Sequence, residues 1–235
     1  MRELIRIFLF LGFLFIAAIV LFAIVHRDRR PRIYFAAESG DTNSLGHYLA
    51  LGSNVNNPVV CYIYGHRTAP LLHIAASSGQ PSAVDFLLKR GADPDLHAYS
   101  GDTALLSVIG RGESEPAIQV LRALLKGGAN PNLQSSSGFW TPLILAADLG
   151  ETQMVSVLLQ AGATVHATNK DGSTPLHFAG NADVARLLIA AGADRAARTE
   201  PVAGETPADS ALRLRHFSAL EVITNVSTQP TIKAP

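Results

Sequence analysis

Eight histidines, one cysteine and nineteen acidic side chains could in principle ligate a metal, act as a nucleophile or move a proton. Their spacing argues against each use. No two histidines stand four apart, the spacing that places a metal-binding pair on one helix face. Cys61 has no second cysteine in the chain, so neither an internal disulfide nor a cysteine-based zinc site can form. A thiol becomes reactive when a base, a cation or a helix N-terminus lowers its pKa. The apolar run Val59-Val-Cys-Tyr-Ile-Tyr64 supplies none of these, so Cys61 reads as a small, partly buried apolar residue. Neither a Gly-x-x-x-x-Gly-Lys phosphate loop nor a Gly-x-Ser-x-Gly elbow is present. Asp93 and Asp194 each follow Gly-Ala, where a short carboxylate serves local backbone hydrogen bonding better than acid–base work. The residues therefore point to no catalysis, no metal, no cofactor and no small-molecule substrate.

Nineteen Lys and Arg balance nineteen Asp and Glu, so no global positive field speaks for nucleic acid. An apolar share of 48% is ample for a packed core and rules out a disordered chain. The 235 residues allow one or two domains. Charge is placed unevenly. Residues 1–32 carry a net +4 and the remainder −4, a basic head suited to a membrane surface.

Residues 7–25 hold 19 consecutive side chains without a charged or polar group. As a helix they extend about 28 Å, close to the thickness of a bilayer's hydrocarbon core. A soluble helix of this length would show a polar face. A cleaved signal peptide has a shorter apolar run followed by a small-x-small site, which Ala23-Ile-Val-His-Arg27 lacks. The segment reads as a single-pass anchor over residues 1–26, with a basic link at 27–31. Arg27, Arg29, Arg30 and Arg32 follow the span, against Arg2 and Arg6 before it, which favours a cytoplasmic C-terminal side. The N-terminal amine narrows that margin and keeps the outward orientation open.

Beyond the link the chain repeats. Five apolar stripes end in Gly52, Gly91, Gly128, Gly162 and Gly192, at spacings of 39, 37, 34 and 30. Before each lies a second block, read at Ile33–Ala37, Ala69–Ala76, Thr103–Val108, Thr141–Ala147 and Thr174–Ala179. A degenerate copy begins at Thr206. Threonine caps a helix with its hydroxyl while proline at the first helical position loses no hydrogen bond. The glycines suit the left-handed residue that ends a helix.

With Thr174-Pro-Leu-His-Phe-Ala179, Leu71-Leu-His-Ile-Ala-Ala76, and Gly-Ala-Asp at 91–93 and 192–194, this pattern resembles the ankyrin repeat family. The resemblance covers roughly residues 32–223. It implies an all-α solenoid of about six helix-turn-helix units joined by β-hairpin-like loops, preceded here by one transmembrane helix. A short tail at 224–235 follows. His73 and His177 fall on the repeat's own histidine position, which implies a hydrogen-bonding role tying hairpin to helix. His97 and His166 fall in hairpins and read as solvated.

The departures from a regular repeat predict local features. Five extra residues around Val59–Tyr64 enlarge one hairpin finger. Four extra near Glu113-Ser-Glu-Pro116 lengthen the inter-helix turn of the third unit. The fifth unit is three residues short, which puts the length of its first helix in question.

Ankyrin-like stacks bind proteins through hairpin tips and inner helices, so the resemblance implies a protein partner there. Tyr62, Tyr64, Tyr99, Phe139, Trp140 and Lys170 fall at or near hairpins, and Arg111, Asp148 and Leu149 at inner-helix ends. Phe139 and Trp140 either meet a partner or pack against the next finger. The expectation is a membrane-anchored scaffold with its repeats in the cytoplasm. The alternative is an exported, outward-facing module that stabilises or protects an extracytoplasmic enzyme.

Overall fold

Threonine, proline and glycine set the unit boundaries in the computed structural model. It describes residues 32–61, 67–136, 138–199 and 204–225. The apolar run at 7–25, the link with Arg27, Arg29 and Arg30, Tyr62, Tyr64 and residues 226–235 lie outside those described. No helix among the described residues is long and apolar enough to cross a membrane.

Six helix pairs follow one another among the described residues. They are α1 (Arg32–Ser39) with α2 (Thr42–Ala50), α3 (Leu71–Ser77) with α4 (Pro81–Lys89), and α5 (Ala104–Ile109) with α6 (Glu115–Lys126). Next come α7 (Pro142–Asp148) with α8 (Thr152–Gln160), a 3-10 helix (Pro175–Phe178) with α9 (Ala182–Ala190), and α10 (Pro207–Arg213) with α11 (Phe217–Thr224). The first helices of successive pairs pack on one another as an inner layer. The second helices do the same as an outer layer. Thr103, Thr141 and Thr206 cap their helices by accepting the N–H of Leu106, Ile144 and Asp209.

The core lies between units. Small residues such as Ala37, Ala76 and Ala147 are fully buried on the inner helices and let adjacent units approach closely. Leu45, Leu87, Leu121, Leu158 and Leu188 fill the outer side. A second tie runs along the loops. Asn132 Oδ1 accepts the Thr164 N–H at 2.7 Å while its Nδ2 donates to the Gly162 carbonyl at 3.3 Å. Asn56 repeats this with Asp93 and Gly91. At the intervening junction Asp95, lacking an amide, only accepts, from the Asn130 N–H at 2.9 Å.

The enlarged finger is a two-stranded antiparallel sheet. β1 (Val59–Cys61) pairs with β2 (Arg67–Ala69), with Val59 opposite Ala69. The helix after it starts one residue later than the sequence blocks suggest, with Pro70 rather than Ala69 at the cap. The four extra residues of the third unit are not confined to its turn, as the sequence suggested. Helix α6 gains three over α8, the turn gains two and α5 loses one relative to α7. The longer turn carries Glu113 across to the next unit. Its carboxylate accepts the N–H groups of Gln153 and of Met154 (3.1 Å), capping α8, whose own Glu151 makes no cap. Glu151 returns the contact by accepting the Glu113 N–H at 2.9 Å.

The short fifth unit has a single 3-10 turn where other units have an α-helix. Gly180 then donates to the Ala147 carbonyl at 2.9 Å. A side chain at Gly180 would stand 2.9 Å from the Asp148 carbonyl oxygen, so only glycine permits this approach. In the sixth unit Arg215, at φ 62°, occupies the left-handed turn position that Gly40, Gly79, Gly112 and Gly150 take earlier.

Two stability outcomes follow. Asn132→Ala removes both ties between two units and should lower stability by about 1–2 kcal/mol in urea denaturation, with Asn132→Asp intermediate. Arg215→Gly relieves a left-handed side chain and should raise stability by about 1 kcal/mol in the same assay.

Candidate functional site

Hairpin tips form one edge of the stack. The turn at each of three tips places a glycine (Gly101, Gly138, Gly172) at positive φ. Neighbouring tips are joined main chain to main chain. Tyr99 donates to the Thr68 carbonyl at 2.9 Å, Ser136 to Gly101 at 2.7 Å and Lys170 to Gly138 at 3.1 Å. A second row uses side chains. His97 Nε2 donates to the Gln134 carbonyl at 3.2 Å, and Gln134 Nε2 to that of Thr168 at 2.9 Å. His97 thus bridges fingers rather than being merely solvated, while His166 is exposed.

This edge-to-edge joining displays the tip side chains in a row. Tyr99 is 71% exposed. It stands at the rim of a cavity of about 390 Å³ lined by Tyr34, Val59, His73, Ile74 and Ser77, among others. One unit further on, Phe139 and Trp140 stack edge to face with centroids 4.7 Å apart. Both rings also meet Phe178 of the 3-10 helix, at 6.1 and 5.8 Å. The exposed Lys170 holds its ammonium 5.6 Å from the Phe139 centroid, a cation–π contact. Phe139 and Trp140 therefore do pack on the next unit, and all three rings remain half-buried.

Arg111, Asp148 and Leu149 form a separate band at the far ends of the inner helices. These helices are six or seven residues long, so the two bands lie about 10 Å apart. Arg111 is exposed, Leu149 is 45% exposed and Asp148 is half-buried. Burial pushes the Asp148 carboxyl above its ordinary value, with His216 pulling more weakly the other way. Burial also raises Glu151, against the hydrogen bond from the Glu113 N–H; the Glu113 carboxylate adds a weaker push in the same direction as burial. Arg32 is exposed at the start of α1. Phe178 and His216 belong to these bands and were not singled out from the sequence. Phe178 fills the variable slot between His177 and Ala179, which is the signal that could have found it.

The two repeat histidines differ instructively. His177 Nε2 faces the Glu205 carbonyl at 3.1 Å, so that nitrogen carries the proton. Its Nδ1 then accepts the Thr174 N–H at 3.1 Å and lies 2.9 Å from the Thr174 hydroxyl. The ring ties its helix start to the next hairpin. At His73 the cap residue is Pro70, which has neither N–H nor hydroxyl. Its Nδ1 is accordingly buried without a partner, while Nε2 meets Ser107 Oγ at 2.9 Å. Burial holds both imidazoles below their ordinary 6.5, against a weaker opposing pull on His73 from Asp102.

Comparison with known proteins agrees with this architecture. The family profile for ankyrin repeats in three copies matches residues 72–169 and 113–199. The chain belongs to the ankyrin repeat family. It is 36% identical over 115 residues to Protein PhlB of Serratia liquefaciens, covering 49% of each chain. It is 36% identical over 133 residues to the palmitoyltransferase AKR1 of Lachancea kluyveri, covering 55% of this chain and 18% of that one. It is 31% identical over 165 residues to the putative ankyrin repeat protein FPV014 of fowlpox virus, covering 68% and 35%. The chain thus spans about half or less of the length of these relatives. The repeats make it a protein–protein interaction module.

The histidines set a pH dependence. Each is held neutral in the fold, so the unfolded chain binds more protons just below pH 6.5. Their stabilising share is fully present above that pH and is lost as pH falls toward the folded values. Asp148 and Glu151, raised from 3.8 and 4.5, act oppositely, and their contribution is lost as pH rises through their folded values. The urea midpoint should fall between about pH 7.5 and 5.5. His73→Leu, which copies Leu106 and Ile144 at the same slot, should shrink that fall. A midpoint flat across this window contradicts the assignment.

Proposed function

We propose that the chain is a membrane-tethered docking module without chemistry of its own. Residues 7–25 anchor it in a bilayer. Arg27, Arg29, Arg30 and Arg32 hold the stack at the cytoplasmic face, and the inner edge receives a protein partner. Six residues link the span to the first unit, an extended reach of at most about 21 Å. The repeats therefore work close to the lipid surface, where tethering raises the effective concentration of other membrane proteins. No nucleic acid, cofactor or small-molecule substrate enters this reading.

The observation that carries it is the aromatic edge. The core is closed, yet Tyr99 is exposed and Phe139, Trp140 and Phe178 stay half-buried on one side of the stack. Aromatic side chains give large contact area at small entropic cost, which suits binding hot spots. Tyr62 and Tyr64 lie on the same enlarged finger in sequence and extend this reading to it. A second reading turns the stack outward, where it would stabilise or protect an extracytoplasmic enzyme. It draws on Arg2 and Arg6 before the span and on the near absence of cysteine.

Two measurements test this. Reporters fused after Pro235, one active only inside and one only outside, should show the inside signal; the outside signal supports the second reading. Proximity labelling by the full chain in its membrane should then mark a set of proteins whose labelling drops about tenfold in the Tyr99→Ala, Trp140→Ala double variant. Labelling indifferent to both changes would remove the aromatic edge as the docking surface.

A further inference from the structure

Asp148 breaks three local rules at once. It is the last residue of α7, so its negative charge sits at the negative end of a helix. It is half-buried, which disfavours the ionised form. Among the described residues no hydrogen bond or ion pair reaches its carboxylate.

Among the described residues no cation pairs with it, and His216 gives only a pull weaker than the effect of burial. His216 acts on it from a distance while its own Nδ1 donates to the Ala179 carbonyl at 3.1 Å. Arg213 is engaged by Glu205 at 3.1 Å. Arg111, one unit earlier, and Arg215, two units later, are exposed and pair with no carboxylate among the described residues. Local rules broken with only weak internal compensation are expected where a molecule meets something else.

Its surroundings say what that is. Leu149, the next residue, is 45% exposed at the helix end. Along the same inner face α7 packs against the 3-10 helix that carries Phe178. A half-buried carboxylate beside an exposed leucine is complementary to a side chain with a long apolar stem and a cationic head.

We propose that Asp148 seats a lysine or arginine of a partner protein segment, with an adjacent apolar residue of that segment lying on Leu149 and Phe178. The proposal rests on the inner edge being the docking surface, and it adds the charge and composition of what docks there. The fold supplies the negative end of a helix and a fixed carboxylate, and the partner supplies the counter-charge. Binding then converts a carboxylate that is unfavourable in the free chain into half of a shielded ion pair. A neutral or acidic segment would leave that carboxylate buried without compensation.

The probe is a random-peptide display library selected on the full chain purified in mild detergent. Selected peptides should be enriched in a Lys or Arg beside an apolar residue. Asp148→Asn should weaken them about tenfold. Asp148→Lys should bind the same peptides after their basic residue is changed to glutamate. Asp148→Asn should keep or raise the urea midpoint, because it removes a disfavoured charge, so loss of binding would not reflect unfolding. Peptides that lose binding in Trp140→Ala but carry no basic residue, or ignore Asp148→Asn, overturn this inference and leave the docking surface standing. Failure to select any peptide sensitive to Trp140→Ala or Asp148→Asn overturns both.

Discussion

Every unit of this stack carries an apolar face that the unit itself cannot cover. Ala37, Ala76 and Ala147 are fully buried because the neighbouring helix pair closes over them. In the last described pair the equivalent Leu212 is 58% exposed. Stability in such a chain is a sum of unit terms and junction terms, and the junctions dominate the fold. The polar ties serve the same constraint. Asn56, Asn132 and Glu113 each satisfy backbone groups of the unit ahead, so that covering the apolar face leaves fewer donors or acceptors stranded.

That constraint also explains the surface. Because packing is consumed between units, the edge of each unit is left to vary. Along the inner layer Ile74, Ser107, Leu145 and Phe178 occupy equivalent slots with unlike chemistry. The main-chain bonds between fingers hold these differences in register. An aromatic band at the tips and a sparse charged band at the helix ends result, on a scaffold of stacked helix pairs.

Most of the frame could be read from the residues. Thr-Pro at 141 and 174, and the glycines after each second helix, mark helix starts and ends because their backbone preferences act locally. The recurring slot gave the role of His177, which ties helix to hairpin, but not that of His73, whose Nε2 meets Ser107 on the next inner helix. What could not be read lies between units. Glu113 caps a helix some forty positions ahead, and no spacing rule within one repeat reports that contact. The shortfall of the fifth unit was visible, but its 3-10 geometry depends on Gly180 reaching Ala147 in the preceding unit. The missing partner of His73 follows from Pro70, yet the one-residue shift of the cap depends on how the enlarged finger closes, which no local spacing reports. The recurrence of the hairpins marks the tips but not Phe178, the ring that joins them to the inner layer.

The bond from Gly180 to Ala147 has a consequence for how such an array can diverge. Repeats arise by duplication and are exchanged as interchangeable blocks when each junction uses the same side chains. Here one block has lost part of a helix and compensates with a main-chain bond that requires glycine, and the glycine and the trimmed length lie in the same unit. The fifth unit therefore carries its own requirement with it, since the fourth supplies only the Ala147 main-chain carbonyl. Such a block can be copied whole, glycine and short turn together, but not one without the other.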